Sequence, residues 1–405
     1  MGRLISPLIC LLAVAGSLQA QNDDAARRIA RELAPAVERA VGLKFRREPV
    51  VAVRSREQVR QFLNRRIAEQ FPTAEIRAVE RAYKAFGLIP DTLDLRRLLL
   101  DLYAEQVAGF YDPDSSALFI VRGADPTMIR MVMAHELVHA LQDQYMSLSR
   151  IMKLRRQNDR QTAAQAVTEG QAVFASMGAL MPGQDMPDLS QAWSAVREGI
   201  RQQQSAMPVF ASAPQIVQEG MLFPYLGGAE FVRTFNQRRS QPDEQPYGER
   251  MPVSTEEVLH PSRYTANDRP MRIGFAPAGH DTLVYDDDFG EFETRIALET
   301  WGASEAQAIA AAAGWNGDRY EVLGSAGGTV VVWALAWDTP GDATEFAQAL
   351  RQAWERARGR GAAGRRWQVD SLVVSGTSVV RLVDAPSAWQ GWSRLPAPRL
   401  TRLAR

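Results

Sequence analysis

The 405-residue chain predicts an α+β fold in two parts: a mostly helical region with a small sheet, then a small two-layer α/β region. Three observations carry this reading. Apolar residues recur at helical spacing through most of the stretch from 24 to 237. Apolar runs rich in β-branched residues are few and short there, at 50–53 and 117–121. From about Phe289 the texture changes to helix, two strands, helix, two strands.

Taken in order, residues 1–20 read as a secretory signal: Arg3, an apolar run over 8–14, then Ser17-Leu18-Gln19-Ala20, with Ala20 suited to cleavage. The run is too short for a comfortable membrane span. An exported protein, periplasmic or secreted and without stable membrane association, is therefore expected. Cys10, the single cysteine, lies inside this segment. The mature chain would then hold none, which excludes disulfides, thiol catalysis and cysteine metal ligands. Helices are expected over 24–43, 57–71, 74–86 and 93–107, with a short strand at 50–53. The turn Asp112-Pro113-Asp114 leads into a strand at 117–121, and helices follow around 191–204 and 215–237. The organisation expected is 1–20 signal, 21–284 main region and 285–405 accessory region. In the last, helices over 305–313 and 343–357 each precede two strands, at 319–323 and 329–337, then 367–375 and 379–383. Asp318 and Arg319 read as a turn with an internal ion pair, 324–328 as a hairpin connection, and 358–366 as a solvated loop.

Basic and acidic residues balance at 47 each, so no nucleic-acid partner or charged membrane surface is indicated.

The chemistry concentrates at His135-Glu136-Leu137-Val138-His139, inside an apolar run that reads as a helix. Residues four apart share a helical face about one turn apart, so both imidazoles can reach one metal ion. Glu136 falls beside them as a general base, not a ligand. The chain has only four histidines; His260 and His280 are too distant for the short third-histidine pattern, and Gln142 stands where that pattern has glycine. Glu169, a lone acid among the small apolar residues of 166–175, is the best third ligand, because an isolated carboxylate there needs a partner such as a cation, a local hydrogen bond being the alternative. Glu198 and Glu219 are weaker candidates. Asp143 is expected to support a ligand from outside, not to bind metal.

His135, His139 and Glu169 so arranged resemble the gluzincin metallopeptidases, in which a glutamate on a second helix completes the zinc site. The stretch H-E-L-V-H-A-L-Q-D-Q at 135–144 is more closely similar to a group of bacterial secreted proteins carrying the same string with threonine at the Val138 position. E-Q-V-A-G-F-Y-D at 105–112, S-T-E-E-V-L-H-P at 254–261 and G-W-N-G-D-R-Y at 314–320 resemble that group too. There an aspartate usually follows the glutamate by two residues; Gln171 stands here, which puts an outer contact in question but not the metal donors. The gap from His139 to Glu169 implies a loop insertion over 148–160.

The resemblance implies a zincin-like fold and peptide hydrolysis with Zn2+, Glu136 taking a proton from water and delivering it to the leaving amine. His260 is the first choice for a donor to the carbonyl oxygen, with Tyr264 and Tyr225 as alternatives. The resemblance also makes 117–121 a sheet edge that pairs with extended substrate; on its own residues this segment reads equally well as a buried core strand. Two other functions fit the same residues: a zinc protein that binds a peptide or partner without turnover, and a non-peptide amidohydrolase.

Overall fold

The computed structural model describes residues 23–70, 73–106, 109–122, 126–183, 207–276, 281–358 and 364–402. The expected signal segment, the helix around 191–204 with Glu198, His280, and most of the 358–366 loop lie outside the described residues. The fold is α+β, as the sequence predicts.

Helix α1 (Asp23–Val41) buries Ala26, Ala30, Leu33, Val37 and Val41, one stripe at three- and four-residue spacing. Strand β1 (Val50–Arg54), then α2 (Arg56–Gln70), α3 (Thr73–Phe86) and α4 (Leu95–Gln106) follow, each close to its expected span. Strands β2 (Gly109–Asp112) and β3 (Ala117–Val121) form a hairpin before α5 (Pro126–Asp143), and α6 (Leu148–Met152) is a short helix before the long α7 (Asn158–Leu180). The expected loop over 148–160 is thus partly helical. Next come α8 (Pro208–Ser212), α9 (Gln215–Arg238), α10 (Thr255–Leu259) and α11 (Pro261–Ala266).

The first sheet has the order β1-β3-β2. β3 is its centre, parallel to β1 (Val50↔Ala117) and antiparallel to β2 (Gly109↔Ile120). The edge-strand expectation for 117–121 is therefore corrected. Ala117, Leu118, Ile120 and Val121 are all buried, so apolar residues occupy both faces, as a central strand requires.

The C-terminal region holds β4 (Met271–Phe275), β5 (Thr282–Asp287), α12 (Gly290–Thr300), α13 (Glu305–Ala312), β6 (Trp315–Ser325), β7 (Gly328–Trp337), α14 (Pro340–Arg358), β8 (Arg365–Val374), β9 (Thr377–Pro386) and β10 (Pro398–Arg402). Five strands form an antiparallel sheet, β5-β6-β7-β9-β8. Helices pack on one face. On the other, Ile273 of β4 meets Ala334, Ala336 and Val379, with Leu400 of β10 beside them. Trp389 and Trp392 cover Val330, Val332 and Val383. The region has a cover on both sheet faces, not two layers, because the continuous apolar run of β7 is buried on both sides.

The expected boundary at 284/285 falls inside β5, and β4 pairs across it with β10 (Phe275↔Pro398). The two regions also share a core. Phe86 of α3 meets the rings of Phe289, Tyr320, Trp333 and Trp354 edge-on, with centroids 5.0–6.2 Å away. Asp318 and Arg319 lie in strand β6 beside a bulge, not in a turn. Asp318 accepts from the backbone N–H groups of Phe289 and Gly290, while Arg319 pairs with Asp286. The 324–328 connection is a hairpin, as expected.

Candidate metal centre

Helix α5 is apolar nearly all round and lies inside the protein, as such a helix must. Its turn at 135–139 presents His135, Glu136 and His139, which are 3%, 0% and 1% exposed. Helix α7 runs alongside. Ala163, Ala164, Ala166, Ala172 and Ala175 leave its surface low enough for close approach, and Glu169 reaches α5 from it.

Three donor atoms converge. His135 Nε2 lies 3.3 Å from Glu169 Oε2, His139 Nε2 lies 3.5 Å from the same oxygen, and the two Nε2 atoms are 3.2 Å apart. Donors about 2.0–2.1 Å from a tetrahedral centre stand about 3.3–3.4 Å from one another. The triangle therefore has the edge length of one face of a tetrahedral metal site, and the residues present fit a divalent ion. This is the only such cluster of His, Cys, Asp and Glu among the described residues.

The charges support the same reading. Burial pushes the Glu169 carboxyl up, but the neighbouring imidazoles, through charge and hydrogen bonds, more than offset it and hold it down at about 2. Glu169 is thus an ionised donor across the whole neutral range. Burial lowers the His135 imidazole below its ordinary value, which favours the neutral form a metal requires. Burial, reinforced by the charge of Glu169, raises Glu136 well above the carboxylate range. Neither Glu136 oxygen is in a formed hydrogen bond among the described residues; the Tyr111 backbone amide attracts its charge from longer range. A buried acid left in this state is suited to take up a proton and hold it.

A third helix closes the site. α9 crosses α7 with Gly228 against Ala166 and Gly170: a Cβ on Gly228 would lie 1.9 Å from the Ala166 carbonyl oxygen. The two backbones touch, and this brings Tyr225, three residues before Gly228, against His135. Their rings stack at 6.2 Å with 24° between planes.

Of the expected site residues, the structure brings together His135, Glu136, His139 and Glu169. It does not bring His260 to them. His260 caps the C-terminus of α10 and its Nε2 meets Glu291 Oε1 at 2.9 Å, on α12 of the C-terminal region. Its loop is drawn there because Thr255 binds Asp159 at the start of α7, ten residues before Glu169. Tyr264 packs on Phe231 and Phe235 instead. Glu219 is buried on α9 outside the cluster. Asp143 binds the Tyr111 hydroxyl and the Leu148 amide, not a histidine; the outer support expected of it comes from Gln142, whose Oε1 is 2.8 Å from His139 Nδ1. The signal for Gln142 was present in the sequence, since an amide on an apolar helical face needs partners.

The fold and the cluster define an α+β protein with a buried two-histidine, one-carboxylate cluster that could hold a metal ion. Comparison with known proteins adds one match: residues 281–391 fit the model of a family described as "Domain of unknown function (DUF8575)". That segment begins beside β5 and excludes the cluster. No curated protein and no solved structure matches the chain.

Proposed function

We propose that this chain is a zinc-dependent peptidase of the gluzincin kind, exported from the cell and acting on peptide or protein substrates. The observation that carries the reading is the donor triangle of His135, His139 and Glu169 with Glu136 buried beside it. A metal-storage or purely structural site has no need of an acid raised by burial at that position.

Bound zinc would supply Lewis acidity and bring water within reach of deprotonation near neutral pH. Glu136 accepts the proton from water and passes it to the departing amine. Tyr225, stacked against His135, takes over from His260 as donor to the carbonyl oxygen of the substrate. His135, His139 and Glu169 would hold the ion, Glu169 offsetting part of its charge, and take no proton themselves. Extended substrate has no place along β3, whose two sides pair with β1 and β2.

The test is a diverse peptide mixture incubated with zinc-loaded protein and read by mass spectrometry, beside Glu136→Gln. Products are expected from the wild type alone, with the variant slower by about 10²–10⁴-fold. Absence of products from protein holding one zinc per chain overturns the proposal.

A further inference from the structure

We propose that His139 is locked in one tautomer by a chain of three glutamine amides, Gln142, Gln171 and Gln245, rooted in the backbone of helix α1. All links are in place. His139 Nδ1 lies 2.8 Å from Gln142 Oε1. Gln142 Nε2 donates to the Thr168 carbonyl and to Gln171 Oε1, each at 3.0 Å. Gln171 Nε2 donates to Gln245 Oε1 at 2.7 Å, and Gln245 Nε2 donates to the Val41 carbonyl at 3.0 Å and the Asp243 carbonyl at 3.2 Å.

An amide can be turned end for end, so each orientation needs a reason. Backbone carbonyls supply it, because they only accept. The Val41 and Asp243 carbonyls require the NH₂ of Gln245, which turns its oxygen to Gln171. Gln171 must then donate there and offer its oxygen to Gln142. The Thr168 carbonyl independently demands the NH₂ of Gln142. From either anchor, Gln142 presents oxygen to His139, so Nδ1 carries the hydrogen and, in the neutral ring, Nε2 keeps its lone pair. That Nε2 is the atom in the donor triangle.

The chain thus prepares His139 as a metal donor in the absence of metal. Gln142 and Gln171 are buried, 0% and 4% exposed, and water competes little for these bonds. The far end is held by the C-terminus of α1, where Gly42 has φ +87° and leaves no room for a Cβ beside the Pro242 carbonyl. These glutamines are positioning residues acting through His139. The effect on binding rests on the metal reading of the cluster; the tautomer itself does not.

The experiment uses full-length metal-free protein at mildly alkaline pH, with imidazole nitrogens read by long-range ¹H–¹⁵N correlation. Four histidines make the spectrum assignable, with His139→Gln identifying the signal. His139 is expected wholly as the Nδ1–H form in the wild type and as a tautomer mixture in Gln142→Met. Zinc affinity, from competition with a chromophoric chelator, is expected to fall about 10–100-fold in Gln142→Met. A smaller loss is expected in Gln245→Met, a half-buried position away from the histidines that tolerates the change if Gln142→Met does not fold. An Nε2–H or averaged His139 in the wild type overturns the proposal, as does a Gln245→Met protein with tautomer and affinity both unchanged. A wild type that takes up no zinc sinks the metal reading while the nitrogen signals still judge the amide chain. A locked tautomer with zinc bound and no peptide cleaved sinks the peptidase reading alone.

Discussion

Replacing Gly228 by alanine should unseat the metal site without touching a donor. In an open helix, glycine to alanine is stabilising by about 0.8–1 kcal/mol. At 228 the added Cβ would stand 1.9 Å from the Ala166 carbonyl oxygen, 2.7 Å from its carbon and 3.0 Å from its Cα. All three are backbone atoms, so no side chain can swing aside. The helices must part by roughly an ångström to restore a normal contact of about 3 Å or more, an overpacking cost of about 1–3 kcal/mol with this case at the upper end. Parting α7 from α9 also moves the turn that carries Glu169, and metal–ligand distances tolerate only about 0.2 Å. The assay is urea unfolding with zinc affinity measured alongside, and Gly178→Ala on the same α7 as control. There the new Cβ meets only the Ala40 Cβ, at 3.8 Å, so the control should be neutral or gain stability. Gly228→Ala should lower the urea midpoint at unchanged slope and weaken zinc binding. Equal midpoints for the two variants would refute the account of the crossing.

Glu169→Gln removes the ionised donor while keeping the shape, and should reduce bound zinc to well below one per chain by elemental analysis while the far-UV circular dichroism is unchanged. Asp159→Asn should flatten the dependence of stability on pH. Burial raises the Asp159 carboxyl to about 8, with Thr255 hydrogen bonds opposing and Asp318 and Glu293 adding to the rise. The folded chain therefore holds a proton that the unfolded chain has released above about pH 4, and stability falls as pH rises from about 4 to about 8, by at most about 1.4 kcal/mol per pH unit for this one group. Urea midpoints taken across that window should slope less in the variant than in the wild type; parallel slopes would dismiss the assignment. Ending the chain at 284 should give an unfolded or aggregated product by circular dichroism and sedimentation, not a free catalytic unit.

What the sequence disclosed follows the range of the interactions involved. Helix α1 is legible because Ala26, Ala30, Leu33, Val37 and Val41 repeat within one element, and His135, Glu136 and His139 because their geometry is set by a single helical turn. Glu169 is legible for a different reason: a lone carboxylate among alanines has to be neutralised by something. Gln245 has no such local mark, and Tyr225, named among the alternative donors, has none that sets it above His260. Tyr225 reaches His135 only because two glycines, 58 positions apart in the chain (170 and 228), let α7 and α9 touch. Gln245 sits in an ordinary polar loop, and its role depends on where Val41 and Gln171 end up. Strands β4 and β10 escaped for the same reason, since each finds its partner across more than a hundred residues. His260 misled because its motif marks a structural joint: the S-T-E-E-V-L-H-P stretch fastens Thr255 to Asp159 and His260 to Glu291.

That joint changes how the C-terminal region should be understood. The N-terminus of α7 leaves backbone N–H groups without helical partners, and a positive dipole end with them. The chain answers with the acids at the end of β5 and just after it: the Asn158 amide donates to Asp287 at 3.0 Å and the Asp159 amide to Asp288 at 2.6 Å. Arg156, just before the helix, donates to the Asp286 carbonyl, and Arg319 of β6 donates to the Arg156 carbonyl. Asp318 in turn fixes the start of α12 and binds the Trp333 indole, whose ring lies in the aromatic cluster around Phe86. So the segment that matches a family of unknown function holds the first turn of the helix whose middle supplies Glu169. A lid over a cleft would be separable from the site; a cap on the donor helix is not. These contacts tie the C-terminal region to the helix that carries Glu169, and the truncation at 284 is expected to cost the protein its structure before it changes any activity.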